Sequence, residues 1–462
     1  MTLITSISGI RGTIGGVSGD GLTPLDAVKF ASAYAEWLRK NSGKTGPKVI
    51  LGRDARISGP MIDHLVSGAL MGMGVDVVNI GLATTPTVEM AVPELNGDGG
   101  IILTASHNPK QWNALKLLNA KGEFLSASEG EEILQYAGQE AFEYSDVDAI
   151  GSFFAHESMD AFHIDKVLGL PLVDVEAIRK ANFTVAIDCV NSVGGIIIPA
   201  LLRKLGVDEV ILLHCDPTGE FPHNPEPLPE NLRDISDAVK EHHADVGFVV
   251  DPDVDRLAII CEDGSMFGEE YTLVAVADYV LTNTPGCTCS NLSSSRALKM
   301  VTEQHGEVYY ASAVGEVNVV EKMKNEGCVI GGEGNGGVIY PALHFGRDAL
   351  VGIALFLSYL AKQKVPCSTL RKTYPSLVMV KQKIELTPDT DVDLILEQLE
   401  QIYKEENITT IDGLKIDFPD GWVHLRKSNT EPIIRIYSEA PDRQQAESLV
   451  KEIGDAVQNI IN

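Results

Sequence analysis

Cysteine is scarce in this chain, cationic side chains are outnumbered, and no apolar run is long. The seven cysteines are odd in number, and several sit in apolar runs such as "VAIDCV" and "LAIIC". They read as reduced core residues and exclude a disulfide-framework protein. Lysine and arginine total 37 against 65 aspartates and glutamates, a formal net charge of -28. A surface so acidic excludes non-specific binding to nucleic acid or to an anionic membrane, both of which need an electropositive face. An anionic small ligand requires a locally basic pocket. The longest greasy stretch, "DALVGIALFLSYLAKQ", has about a dozen consecutive uncharged residues, short of a bilayer span. No basic region followed by an apolar core opens the sequence, so the expectation is a cytoplasmic protein.

What is present is enough apolar material, 44% of 462 residues, for several cores and roughly three or four domains. Apolar β-branched runs alternate with amphipathic helical patterns: "KVILGRD", "MIDHLVSGALMGMG", "VDVVNIG". That is the α/β rhythm. It recurs from "FTVAIDCVNS" to "EVILLHCD" and again from "CTCSNLSS" to "CVIGGEGNGG", as an internal triplication would. The stretch "KVPCSTLRKTYPSL", with two prolines and little periodicity, reads as a linker. Beyond it a strand, the helix "VDLILEQLEQIYKEE", further strands and a final helix from Arg443 predict a small α+β domain.

Four clusters carry chemistry. "TASHNP", Thr104 to Pro109, follows the apolar run Gly99 to Leu103, which reads as a buried strand entering a turn. Its Ser106 is open to three roles: nucleophile, phosphate acceptor, or turn residue. "DPDVDR", Asp251 to Arg256, also follows an apolar strand, "VGFVV". Carboxylates at i, i+2 and i+4 of a turning backbone converge on one hard cation, and three anionic oxygens with positions to spare suit Mg²⁺. An EF-hand is rejected, because Arg256 occupies the position that needs glycine and "LAIIC" is a strand pattern.

"GGEGNGG", Gly331 to Gly337, matches G-x-G-x-x-G only weakly, since "VIYP" continues extended where a dinucleotide site needs a helix. Its Glu333 and Asn335 suit a hydroxylated ligand. "SGKT", Ser42 to Thr45, imitates the end of a P-loop but follows a helix, and reads as a helix terminus. In "RKSNTEPIIRIYSEA", Arg426, Ser428, Asn429, Thr430 and Arg435 gather guanidinium and hydroxyl donors as a phosphate site does.

In this order, together with "SGIRG" near the start, these clusters resemble those of the α-D-phosphohexomutase superfamily, and the resemblance covers essentially the whole chain. It implies three related α/β domains with mixed sheets and a smaller C-terminal α+β domain around a central cleft. The expected division is 1–153, 154–257, 258–368 and 369–462. The resemblance further implies that Ser106 carries a phosphoryl group. It implies Mg²⁺ held by Asp251, Asp253, Asp255 and an oxygen of the phosphoserine, with Arg256 near the phosphoryl group. Arg11 and Lys116 would lie near the reacting hydroxyl, and His107 would join the catalytic set beside the serine.

A hexose phosphate would move its phosphoryl group between the 6- and 1-positions through a bisphosphate, which serves as intermediate or activator. No nucleic-acid or membrane partner is expected, and the chain would act as a monomer or homodimer. Where relatives often read G-E-x-S-G-H, Asn335 and Gly337 stand at the serine and histidine positions. "SAVGEVNV", with Gly315 and Glu316, resembles the V-G-[DE] of phosphoglucosamine mutases more than the T-G-H of phosphomannomutase/phosphoglucomutase relatives. The expected substrate is therefore glucosamine phosphate, with mannose or glucose phosphate as the alternative and a sugar-phosphate sensor as the non-enzymatic one. A Ser-His hydrolase lacks its G-x-S-x-G elbow, and a dehydrogenase would have to use the loop at Gly332.

Overall fold

The computed structural model describes residues 2–6, 9–386, 390–427 and 433–461. By contact density the chain forms two compact units, Met1–Thr272 with Gly336–Ser368, and Leu273–Asn335 with Thr369–Asn462. No helix among the described residues is long and apolar enough to cross a membrane.

The first unit holds two mixed sheets. One contains β1 (Leu3–Ser6), β2 (Gly9–Thr13), β3 (Lys48–Arg53), β4 (Asp76–Leu82), β5 (Gly99–Leu103), β6 (Trp112–Leu118) and β7 (Phe153–Ala155), in the order β1-β2-β6-β5-β3-β4-β7. Strands β5, β3, β4 and β7 run parallel, and β1, β2 and β6 are added antiparallel. Every residue of β5 is buried, because helices cover both faces and leave no polar side to the strand. Pro24–Ser42, Gly59–Gly72 and Ala127–Gln139 enclose the core of Tyr34, Trp37, Leu51, Leu70 and Ile133 on one face. Thr85–Glu94 packs Val88 and Val92 against Ile50 and Ile102 on the other. The helix Pro24–Ser42 starts from a reciprocal cap between Thr23 and Asp26 and stops at Gly43, whose φ of 65° is left-handed. The P-loop look-alike "SGKT" is thus a helix terminus, as its sequence position suggests.

The second sheet contains β8 (Thr184–Asp188), β9 (Glu209–Leu213), β10 (Val246–Val250) and β11 (Leu257–Cys261), ordered β11-β10-β8-β9. Strands β10 and β11 form an antiparallel hairpin around "DPDVDR", which is the strand-turn-strand setting that excludes an EF-hand. The greasy stretch near position 350 is the helix Ala349–Gln363, buried over almost its whole length. It packs on the helices Asp160–Leu168, Val175–Ala181 and Gly194–Leu205. An all-round apolar helix of this length is a core element.

The second unit contains a parallel sheet of β12 (Thr288–Asn291), β13 (Tyr309–Ser312) and β14 (Ile330–Glu333). After β15 (Gly337–Ile339), which belongs to the first unit, the chain forms an antiparallel sheet. Its strands are β16 (Val378–Glu385), β17 (Asn407–Thr409), β18 (Leu414–Phe418), β19 (Gly421–Lys427) and β20 (Ile433–Ala440), ordered β16-β20-β19-β18-β17. Helix Val392–Ile402 brings Val392, Ile395 and Leu399, and helix Arg443–Ile461 brings Ala446, Val450, Ile453 and Val457, onto one face of this sheet. That is the spacing of a single apolar stripe. The architecture is α/β with mixed sheets and a smaller C-terminal α+β domain. The linker expected at "KVPCSTLRKTYPSL" is not wholly irregular. Cys367–Arg371 forms a short helix directly after Pro366, a residue compatible with a helix start though not with a helix interior.

Candidate active site

The end of β5 and the β10–β11 turn meet. Beyond Leu103 the backbone turns at Ser106, whose φ of 49° lies in the left-handed region. Its amide donates to Thr104 Oγ1 at 3.0 Å, and Thr104 Oγ1 donates to Asp54 Oδ2 at 2.7 Å. So held, the buried Ser106 donates its hydroxyl to Asp251 Oδ2 at 2.8 Å. In the facing turn Val254 has φ 62°, a costly conformation for a β-branched residue. That turn brings Asp251, Asp253 and Asp255 together, each fully buried, with oxygens within 4.8 Å of one another.

The carboxylates are held differently. Asp251 Oδ1 accepts from the amides of Asp255 and Arg256 at 3.2 and 3.1 Å. Asp253 Oδ2 accepts from Lys116 Nζ at 2.7 Å and Thr85 Oγ1 at 2.6 Å. Asp255 Oδ2 accepts from Arg347 Nη2 at 2.6 Å and lies 3.7 Å from Lys116 Nζ. Burial, reinforced by Asp255 and Asp253, pushes Asp251 well above the usual carboxylate range. Burial alone would do the same to Asp253, but Lys116 outweighs it and holds that carboxyl below its usual range. Lys116 is drawn up in turn, its burial overcome by Asp253 and Asp255.

Asp253 Oδ1 and Asp255 Oδ1 are buried without a hydrogen-bond partner. Two orphaned anionic oxygens beside Asp251 are donors that a hard divalent cation would satisfy, so the residues present fit Mg²⁺. Around them stand further cations. Arg256 Nε is 3.9 Å from Asp255 Oδ1, and Arg11 Nη1 donates to Asn108 Oδ1 at 2.8 Å. Burial pulls Arg11 below its ordinary value. Burial, with Arg256, Arg11 and Arg347 nearby, drives His107 down to about 2, so its imidazole is neutral. The structure therefore brings Ser106, His107, Lys116, Asp251, Asp253, Asp255, Arg256 and Arg11 into one neighbourhood of the first unit.

Sequence reasoning missed the residues that position this set. Arg56, fully buried, donates to the carbonyls of Ser106, Asn108 (2.7 Å), Pro109 (2.9 Å) and Trp112 (3.0 Å), and to Asp54 Oδ2 at 2.9 Å. Arg347 and Thr85 were likewise unread. The signal available for the two arginines was an Arg-Asp pair, at the end of β3 in "GRDAR" and directly before the helix Ala349–Gln363 in "FGRDA".

In the second unit Glu333, at the end of β14, accepts on Oε1 from Asn291 Nδ2 at 2.8 Å and from the Gly315 amide at 3.2 Å. Asn335 Nδ2 lies 3.4 Å from Glu333 Oε2, and Glu316 opens the helix Glu316–Glu326. Asp412 Oδ2 accepts from the Val314 amide at 2.8 Å and pairs with Arg426 Nε at 2.9 Å. Arg426 on β19 stands directly opposite Arg435 on β20. Like charges in that position repel, an arrangement an anion relieves. Ser428, Asn429 and Thr430 lie outside the described residues.

Four family profiles match in chain order: phosphoglucomutase/phosphomannomutase alpha/beta/alpha domain I at residues 3–144, domain II at 161–264, domain III at 268–377 and the C-terminal domain at 380–456. A phosphoglucomutase/phosphomannomutase of Thermococcus kodakarensis is 36% identical over 94% of this chain and 95% of its own. A probable phosphoglucosamine mutase of Methanopyrus kandleri is 34% identical over 98% and 97%. The crystal structure of a phosphoglucomutase/phosphomannomutase family protein from Burkholderia thailandensis superposes with a TM-score of 0.83 at 25% identity, covering 99% of this chain and 97% of that one. Fold and relatives together define a phosphohexomutase, an enzyme that transfers a phosphoryl group intramolecularly. The chain belongs to the phosphoglucomutase/phosphomannomutase family.

Proposed function

We propose that this chain interconverts the 6- and 1-phosphates of glucosamine through a phosphoserine at Ser106. The observation that carries the reading is the Ser106 hydroxyl, held 2.8 Å from a buried triad of carboxylates by a strained turn. Buried carboxylates facing a phosphoserine would repel it strongly without a cation. Asp251, Asp253, Asp255 and an oxygen of the phosphoserine would hold Mg²⁺, which supplies charge neutralisation at the phosphoryl oxygens.

The bond from phosphorus to Ser106 Oγ breaks as one forms to the oxygen of the free hydroxyl of the hexose phosphate, and the proton that hydroxyl loses ends on the released Ser106 Oγ. The bisphosphate then returns its other phosphoryl group to Ser106. Lys116, kept protonated by Asp253 and Asp255, orients oxygen ligands with Arg11. Arg256 meets the phosphoryl charge, and the neutral His107 places its Nδ1 3.4 Å from Ser106 Oγ. Glu333, Asn335, Gly315 and Glu316 would recognise the sugar. Arg426, Ser428, Asn429, Thr430 and Arg435 would hold the phosphate that is not reacting. These roles go with a division into domains at 1–153, 154–257, 258–368 and 369–462, and with a cytoplasmic monomer or homodimer.

The amine is argued first from the V-G-E stretch, Val314 to Glu316, and only secondarily from Glu333, the buried carboxylate that accepts from the Gly315 amide of that stretch and does not decide the sugar alone. A buried group matched to a substrate amine discriminates against analogues without one. The Thermococcus relative, named for glucose and mannose phosphates, supports the neutral-sugar alternative. Specificity is tested by kcat/KM for glucosamine 1-phosphate, glucose 1-phosphate and mannose 1-phosphate under one set of conditions, with the first expected to be highest. Equal or higher efficiency on a neutral sugar refutes the substrate. Peptide mass spectrometry should find phosphate at Ser106, and a Ser106→Ala variant with near-normal turnover refutes the mechanism.

A further inference from the structure

Away from this site, three ligating side chains converge at the carboxyl ends of β8 and β9. Asp188 is the last residue of β8, His214 follows β9, and His223 lies on the loop beyond it. Asp188 is buried and both imidazoles are partly exposed. Asp188 Oδ2 lies 2.9 Å from His214 Nδ1 and 3.1 Å from His223 Nε2, and all three ligand atoms fall within 4.8 Å of one another.

The decisive contact is on the far side of His223. Its Nδ1 is 2.8 Å from the carbonyl oxygen of Asn224. A carbonyl only accepts, so Nδ1 carries the proton, and in the neutral ring Nε2 then presents a lone pair to the Asp188 carboxylate. Lone pair against anion is repulsive. Either a second proton or a cation must lie between them. A second proton creates an imidazolium whose ring centre is 5.4 Å from that of His214.

A bound cation instead uses all three lone pairs. A carbonyl on the remote ring nitrogen is also the usual support of a metal-bound histidine. Zinc bonds of about 2.0 Å set a tetrahedral edge of about 3.3 Å, close to the two separations from Asp188. Two imidazoles and one carboxylate form a borderline donor set that selects a transition ion over Mg²⁺.

We propose that Asp188, His214 and His223 form a second metal site, for Zn²⁺ or a similar divalent transition ion, separate from the acidic triad. Its role is structural. The loop it closes places Phe221 5.1 Å from the Arg56 guanidinium and Glu220 2.8 Å from Lys110 Nζ. At Gly219 a Cβ would stand 2.1 Å from the Ala55 carbonyl. Closing this loop with a metal therefore braces Arg56, the residue that holds the Ser106 turn.

The test uses the full chain, purified metal-free and kept in excess Mg²⁺. Titration of Zn²⁺ against a chromophoric chelator should show one tightly held zinc per chain. Co²⁺ in its place should give visible ligand-field bands without a thiolate charge-transfer band, which separates the site from the nearby Cys189 and Cys215. His223→Ala and His214→Ala should each abolish the zinc and the bands, while Asp253→Asn keeps both. Zn²⁺ should also raise the melting temperature of the wild type and leave that of His223→Ala unchanged. Absence of bound zinc from the wild type, or equal retention by both histidine variants, overturns the assignment. Because the cobalt spectrum is read on the wild type, a variant that fails to fold leaves the test intact.

Discussion

The Arg56 side chain donates five hydrogen bonds from a position with no solvent exposure, and four of them end on the carbonyls of Ser106, Asn108, Pro109 and Trp112. The substitution Arg56→Lys keeps the charge opposite Asp54 but replaces a planar five-donor fork with three protons on one nitrogen. At least two acceptors therefore lose their donor. At roughly 1.5–3 kcal/mol for each lost bond to a charged group, the structural cost is about 3–6 kcal/mol. Because most of those acceptors belong to the turn after β5, the turn absorbs the cost before the sheet does. Misplacing the serine by about 1 Å is worth on the order of 100-fold in rate.

The expected result is a kcat lower by about that factor in saturating Mg²⁺, with the far-ultraviolet circular dichroism unchanged. Hydrogen exchange should be faster in the peptide covering residues 104–112. A variant with turnover within about threefold of wild type, when the loss estimated from positioning is on the order of 100-fold, would refute this reasoning if protection of that peptide were also unchanged.

Asp253→Asn removes the negative charge that faces Lys116 at 2.7 Å and replaces one of the two carboxylate oxygens with an amide nitrogen that cannot bind a cation. It should lower turnover by at least about 100-fold and weaken the Mg²⁺ dependence, and wild-type activity in excess chelator would contradict the role given to the triad. Lys415 in β18 is buried, donates to Leu292 O at 2.8 Å, and is pushed down by burial to about 8. Its folded value lies below the unfolded one, so the unfolded chain binds more protons between pH 8 and about 10.5, and stability rises with pH across that window. Lys415→Met should therefore be the more stable form at pH 7, by up to about 3 kcal/mol less the lost contacts. Denaturant titrations should show that gap narrowing toward pH 10, and a gap that does not vary with pH would contradict the linkage.

The parts of this molecule legible in the sequence are those whose cause is local. Gly99–Leu103 reads as a buried strand because five apolar residues in a row cannot alternate, and β5 is indeed buried on both faces. Asp251, Asp253 and Asp255 read as one cluster because a turn between two strands forces alternate residues together, and their oxygens do converge. What the sequence conceals is whatever meets across it. Arg56 reaches Ser106 from 50 positions away, and Arg347 reaches Asp255 from 92. In composition each is one more surface arginine. The left-handed Val254 was equally hidden, since nothing in its side chain favours that conformation and only the surrounding contacts maintain it. His223 shows the same limit from the other side. Its ring is given meaning by Asp188, 35 residues earlier, and by the carbonyl of its own neighbour Asn224. Chemistry at a site is thus legible when the reacting groups share a turn, and illegible when the groups that aim them arrive from other strands.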